Sequence, residues 1–182
     1  MKLEGVLPAV RDMKDFDSML SSQHELFILL DTRVSQLPYC IKQAKKANKK
    51  VLVHADMING LKVDKYGMEF LVRLLKVDGI ISTRANAISL AKKFNTTAVL
   101  RLFAIDSSAM EKNMKLVEQT KPDYIEILPG VVPSIIKDVI DQTAIPVIAG
   151  GLIRTKDNVN QALDSGAIAV TTTSKELYQN GL

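Results

Sequence analysis

Two segments near the C-terminus combine glycines and hydroxyls in a pattern suited to holding an anion. Ile145-Pro-Val-Ile-Ala-Gly-Gly-Leu-Ile-Arg-Thr155 reads as a strand, a Gly150-Gly151 turn and the start of a helix. Gly166-Ala-Ile-Ala-Val-Thr-Thr-Thr-Ser174 reads as a second strand running into hydroxyls that open another helix. Glycines let backbone N–H groups approach a phosphate closely, and a helix start presents further N–H groups to the same place. Each segment also has a purely structural explanation, since Gly-Gly serves tight turns and Thr caps helices. A second chemistry is carried by carboxylates. Asp56 follows His54 at the end of an apolar run, and Glu126 stands inside Tyr124-Ile-Glu-Ile-Leu128. A carboxylate in such a strand needs a partner, either a ligand hydroxyl or a cation such as Arg101.

These residues need elements to position them. Short runs rich in Val, Ile and Leu alternate with segments of helical period. The spacing predicts strands at Val6–Val10, Leu26–Leu30, Val51–Ala55, Gly79–Ser82, Ala98–Phe103, Tyr124–Leu128, Val147–Ala149 and Ile168–Thr171. It predicts helices at Met13–Ser21, Ser35–Ala47, Lys62–Lys76, Arg84–Phe94, Ser107–Gln119, Pro133–Asp141, Thr155–Ser165 and Lys175–Gln179. Asp106 or Ser107, and Thr155, sit where N-caps belong, and Gly166 follows a helix end. Eight strand–helix repeats predict an α/β fold, a compact single-domain (β/α)8 TIM-type barrel over residues 1–182. A doubly wound open sheet is the alternative. The repeat of about 23 residues leaves only short loops.

In such a barrel ligands bind at the strand C-terminal ends, and phosphates favour the loops after the last two strands. Those ends carry Arg11, Asp31, His54 with Asp56, Arg84, Arg101, Glu126, Gly150 with Gly151, and Thr172 with Thr173. The expectation is a pocket with an anion-binding half and a hydroxyl-binding half. Arg84, Arg101, Asp31 and Arg11 are candidates for ligand contact or ion pairing, and strand parity does not choose between these roles.

Composition narrows the function classes. The chain is 47% hydrophobic and 24% charged, which suits a globular domain. One cysteine excludes an intramolecular disulfide and fits a reducing, cytoplasmic location. The start of the chain has no apolar signal core, and no apolar run reaches membrane-spanning length. Two histidines, one cysteine and no HExxH arrangement speak against metal, and no P-loop pattern is present. The net charge of +4 permits an anionic partner. Lys42, Lys45, Lys46, Lys49, Lys50, Lys92 and Lys93 are the densest basic residues, read either as a solvated helix face or as RNA contacts.

Several segments taken in order resemble one family. They are His54-Ala-Asp-Met-Ile-Asn-Gly-Leu61, Asp78-Gly-Ile-Ile-Ser-Thr-Arg84, Arg101-Leu-Phe-Ala-Ile-Asp-Ser107, Tyr124-Ile-Glu-Ile-Leu-Pro-Gly130, Ile148-Ala-Gly-Gly-Leu-Ile153 and the Thr171–Ser174 run. Together they are similar to glycerol uptake operon antiterminator regulatory proteins. The resemblance implies a cytoplasmic regulator, not an enzyme and without a cofactor. Such a regulator responds to glycerol 3-phosphate and acts on leader mRNA to permit transcription through a terminator.

The effector phosphate is then expected at Gly150, Gly151, Thr172, Thr173 and Ser174, and its hydroxyls at Asp56, Glu126 and His54. A homo-oligomer is a further expectation. The competing reading is a barrel isomerase, lyase or aldolase acting on a small phosphorylated substrate, with His54, Asp56 or Glu126 as base. No lysine at a strand end suits a Schiff base.

Overall fold

The computed structural model describes residues 1–179. The elements run β1 (Gly5–Val10), α1 (Met13–Leu20), β2 (Leu26–Leu29), β3 (Thr32–Arg33), α2 (Leu37–Lys46), β4 (Lys50–His54), a 3₁₀ turn (Ala55–Met57), β5 (Ile58–Asn59), α3 (Lys65–Glu69), a π-helical turn (Phe70–Leu74), β6 (Gly79–Ser82), α4 (Ala85–Lys93), β7 (Thr97–Phe103), α5 (Ser107–Thr120), β8 (Tyr124–Leu128), α6 (Pro133–Thr143), β9 (Val147–Gly150), α7 (Lys156–Asp164), β10 (Ala169–Thr172) and α8 (Lys175–Gln179). The strands hydrogen-bond in the order β1-β10-β9-β8-β7-β6-β4-β2, a closed (β/α)8 barrel, while β3 and β5 pair separately. All eight expected barrel strands are present, with ends that agree to within a residue. Two compact units carry the packing: Pro8–Ala98, and Met1–Leu7 together with the chain from Val99 onward.

In the Pro8–Ala98 unit, parallel register pairs Leu26 with Lys50 through Leu29 with Val53, and Leu52 with Gly79 through His54 with Ile81. Phe27, Leu52 and Ile80 are fully buried, and Phe16 of α1 meets Phe27 edge to face at 5.8 Å. Cys40 of α2 is buried near Met13, and loss of solvation pushes its thiol pKa up.

Two expected helices shift here for local reasons. The helix expected from Ser35 begins at Leu37, with Pro38 in its first turn. The helix expected over Lys62–Lys76 starts only at Lys65, because the Asp64 carboxylate accepts the N–H groups of Tyr66 and Gly67 and so forms the cap. Those bonds, the one from Gly67 foremost, hold its pKa below the ordinary carboxylate value. The same helix then passes into the π turn.

In the unit from Val99 onward, β7 to β10 are parallel, and Ile125, Ile127, Val147, Ile148 and Ala149 are buried. Strands covered on both faces read as continuous apolar runs. Asp106 caps α5 by accepting the Ala109 N–H at 2.7 Å, and Thr155 caps α7 in a reciprocal box with Asn158. Two helices end on left-handed residues that are not glycine, α5 at Lys121 (φ 44°) and α6 at Ala144 (φ 53°). Ala144→Gly is expected to stabilise the protein by about 0.5–1 kcal/mol, as relief of that conformation outweighs the added unfolded-state entropy. A urea midpoint unchanged or lowered by the substitution would contradict it.

Candidate functional site

Glu126 lies in the middle of β8 and is 1% exposed. The register of β7 against β8 places Arg101 directly beside it. The Arg101 guanidinium, 11% exposed, donates from Nε to Glu126 Oε2 at 2.7 Å. The hydroxyl of Thr171 on β10 donates to Oε1 at 2.6 Å. Strand β9 lies between these two strands, and its Gly150 pairs with Thr171. A Cβ at Gly150 would stand 2.7 Å from both Glu126 Oε1 and Thr171 Oγ1. Glycine at this position therefore lets the two side chains meet across β9. Of the two partners that the sequence leaves open for Glu126, a cation and a ligand hydroxyl, the cation Arg101 is in place. Charge-assisted bonds of this kind offset the desolvation of a buried carboxylate.

Beyond β9 the chain turns through Gly151 (φ 76°) and Leu152 (φ 63°), the latter 57% exposed. Gly130 packs on this turn through its backbone. Its N–H donates to the Gly150 carbonyl at 2.6 Å, and an added Cβ would lie 2.6 Å from Gly150 N. At the end of β10 the Thr172 hydroxyl donates to the Ile153 carbonyl at 2.8 Å and accepts the Ser174 N–H at 3.0 Å. Thr172 thus ties the two loops together. Thr173 is exposed and Ser174 half-buried. Sequence reasoning missed Gly130 and Thr171. Gly130 has no local signal of its packing on the next strand, and the role of Thr171 depends on register across an intervening strand.

In the Pro8–Ala98 unit, Asp56 is heavily engaged. Its Oδ1 accepts the Ser82 hydroxyl at 2.8 Å, and its Oδ2 accepts the Thr83 N–H at 2.7 Å and the Thr83 hydroxyl at 3.0 Å. Arg84 Nε lies 3.4 Å from Oδ1, but the Arg84 side chain is 61% exposed, so this pair adds little. His54 is buried at the end of β4. Asp31 is exposed and accepts a bond from the Asn59 side chain at 3.1 Å, and Arg11 is exposed.

Among the basic residues, Lys42, Lys46, Lys50, Lys92 and Lys93 are exposed. Lys45 is exposed too but donates from Nζ to the Leu75 carbonyl at 2.7 Å, and the half-buried Lys49 donates from Nζ to the Ser22 and His24 carbonyls at 2.5 and 2.8 Å. Among the described residues, no group of three or more His, Cys, Asp or Glu is placed to hold a metal ion. No helix among them is long and apolar enough to cross a membrane.

Residues 6–178 match the family described as glycerol-3-phosphate responsive antiterminator. The chain is similar to a glycerol uptake operon antiterminator regulatory protein from Listeria monocytogenes str. 4b F2365, with TM-score 0.96 and 45% identity, covering 100% of this chain and 98% of that one. A glycerol uptake operon antiterminator-related protein from Thermotoga maritima MSB8 gives TM-score 0.86 and 30% identity, covering 98% and 99%. An uncharacterized protein of Escherichia coli (strain K12) is 31% identical over 178 residues, 98% of this chain and 93% of its own length. Barrel aldolases at 12% identity share the fold and no more. With its match spanning nearly every residue, the chain belongs to the glycerol-3-phosphate responsive antiterminator family.

Proposed function

We propose that the protein is a regulator, not an enzyme, that takes glycerol 3-phosphate as its effector, binds leader mRNA and causes antitermination of glycerol-utilisation operons. The observation that carries this reading is the turn after β9, in a chain whose family is named for that ligand. Gly150 and Gly151 keep the backbone bare of side chains where β9 meets α7, which suits a phosphate. The exposed Thr173 offers a hydroxyl on the following loop, which Thr172 ties to the turn after β9 through the Ile153 carbonyl. Glu126 takes a hydroxyl of the effector with lone pairs left over from Arg101 and Thr171, since a carboxylate has about four acceptor positions. The chain acts as a single folding domain in this reading.

A thermal melt with glycerol 3-phosphate, glycerol and inorganic phosphate tests the effector. A single unfolding transition is expected. Glycerol 3-phosphate at 100 times its Kd should add about 2.7 kcal/mol of stability, a rise of roughly 5–10 °C. Glycerol alone should do little, and Gly151→Val, which forces a branched residue into positive φ, should abolish the rise. No shift with any of the three ligands would refute the effector. Leader-RNA affinity that is equal with and without glycerol 3-phosphate would refute effector gating, because a ligand without differential affinity shifts nothing.

A further inference from the structure

Helices α2 and α4 and the π-helical turn all end at one rim of the Pro8–Ala98 unit, and all three carry cations there. Parallel pairing of β2, β4 and β6 sets the strand starts side by side, and each helix returns to the start of the next strand. The last turn of α2 holds Lys45 and Lys46, that of the π turn Arg73, and that of α4 Lys92 and Lys93. Lys76 follows the π turn, and Lys50 opens β4.

Two contacts join the ends into a row. Lys45 Nζ binds the Leu75 carbonyl at 2.7 Å, and the Arg73 guanidinium sits 4.7 Å from the centre of the Phe94 ring. Lys46, Lys50, Lys76, Lys92 and Lys93 are exposed along it. Nearby carboxylates are partly engaged. Asp78 accepts the Val51 N–H at 2.8 Å and Glu69 pairs with Arg73 at 3.4 Å, whereas Glu25 is exposed.

Cations at helix C-termini also offset the macrodipole, which would explain one such end. That explanation applies equally to α5, α6 and α7, whose last turns carry no basic residue. Apart from Lys121 at the C-cap of α5, the excess among the described residues is confined to three consecutive ends of one unit.

We infer that this rim is the surface that grips the phosphate backbone of RNA, with Lys46, Lys76 and Lys93 contributing one contact from each helix end. The inference rests on the RNA-binding reading above and assigns its surface. Lys45 and Lys49, which the sequence groups with the RNA candidates, act as tethers to carbonyls. Phosphate contacts release counterions, so binding should weaken with salt irrespective of RNA sequence.

The test is a salt series of leader-RNA binding, in the presence and absence of glycerol 3-phosphate, by the wild type and by K46Q/K76Q/K93Q. Each single-strand phosphate contact contributes about 0.7 to the slope of log affinity against log salt. The triple variant should therefore lose about 2 from the slope and about 100-fold in affinity at 0.1 M salt. K112Q/K115Q, on exposed lysines of α5, should match the wild type, and the triple variant should keep the thermal response to glycerol 3-phosphate. If the triple variant does not fold, the single variants decide, each with an expected loss of about 0.7 in slope. An unchanged slope and affinity in the rim variants, with the wild type binding RNA, would overturn the rim while leaving the RNA-binding reading intact. A wild type that binds no leader RNA in either condition would instead overturn that reading, and the rim with it.

Discussion

Arg101→Met is expected to destabilise the protein by about 3–5 kcal/mol, because it leaves the buried Glu126 carboxyl without its cation. At this chain length that corresponds to a fall of roughly 10 °C in melting temperature. The Thr171 hydroxyl would remain on Oε1, yet one hydrogen bond to a charged group contributes only about 1.5–3 kcal/mol against a larger desolvation penalty. Adding Glu126→Leu to Arg101→Met should restore much of the loss, since replacing a buried pair by apolar side chains is often neutral. The doubly substituted protein should nevertheless show no thermal response to glycerol 3-phosphate, having lost the acceptor proposed for an effector hydroxyl. Urea unfolding of both variants, repeated with the ligand, separates the structural role of the pair from the binding role. A single variant as stable as the wild type would show that the pair does not hold the strands together.

Gly130→Ala is expected to cost about 3 kcal/mol, near the upper end of overpacking effects. The added methyl would lie 2.6 Å from Gly150 N and 2.7 Å from the Ala149 carbonyl carbon. These are backbone atoms of β9, so no rotamer change relieves the clash, and the turn must move away from β8. The hydrogen bond from Gly130 N–H to the Gly150 carbonyl would lengthen with it. Binding should suffer more than the melt suggests, because the displaced segment is the Gly150-Gly151 turn. Isothermal titration with glycerol 3-phosphate should show at least tenfold weaker binding, about 1.4 kcal/mol. Unchanged affinity in a folded variant would place the phosphate away from this turn.

The barrel strands were legible because branched apolar residues cluster at the spacing of a strand–helix repeat. Glu126 was legible for the opposite reason, as one carboxylate among Tyr124, Ile125, Ile127 and Leu128. Its partners were not, because register alone decides that Arg101 sits beside it and that Thr171 reaches it over Gly150. Gly150 was readable as a turn glycine, while its second task, clearing space between two side chains, has no local signature. Strands β3 and β5 span two residues each, too few to show any alternation. Lys45 and Lys49 resemble their solvated neighbours in sequence, and only contacts to Leu75, Ser22 and His24, distant along the chain, set them apart. Asp64 shows how one side chain moves a helix boundary that periodicity places earlier.

The bracing of the basic rim has a consequence for the entropy of association. The Lys45 bond to Leu75 and the stacking of Arg73 on Phe94 fix the spacing of three helix ends when the chain folds. A polyanion bound at the proposed rim would meet helix ends that are already joined and would not have to bring them together. What remains to be ordered on contact is the rotamers of the individual lysines, about 0.5–1.5 kcal/mol for each side chain immobilised. The rim would therefore favour a strand whose phosphates already match its spacing over one that must bend to fit.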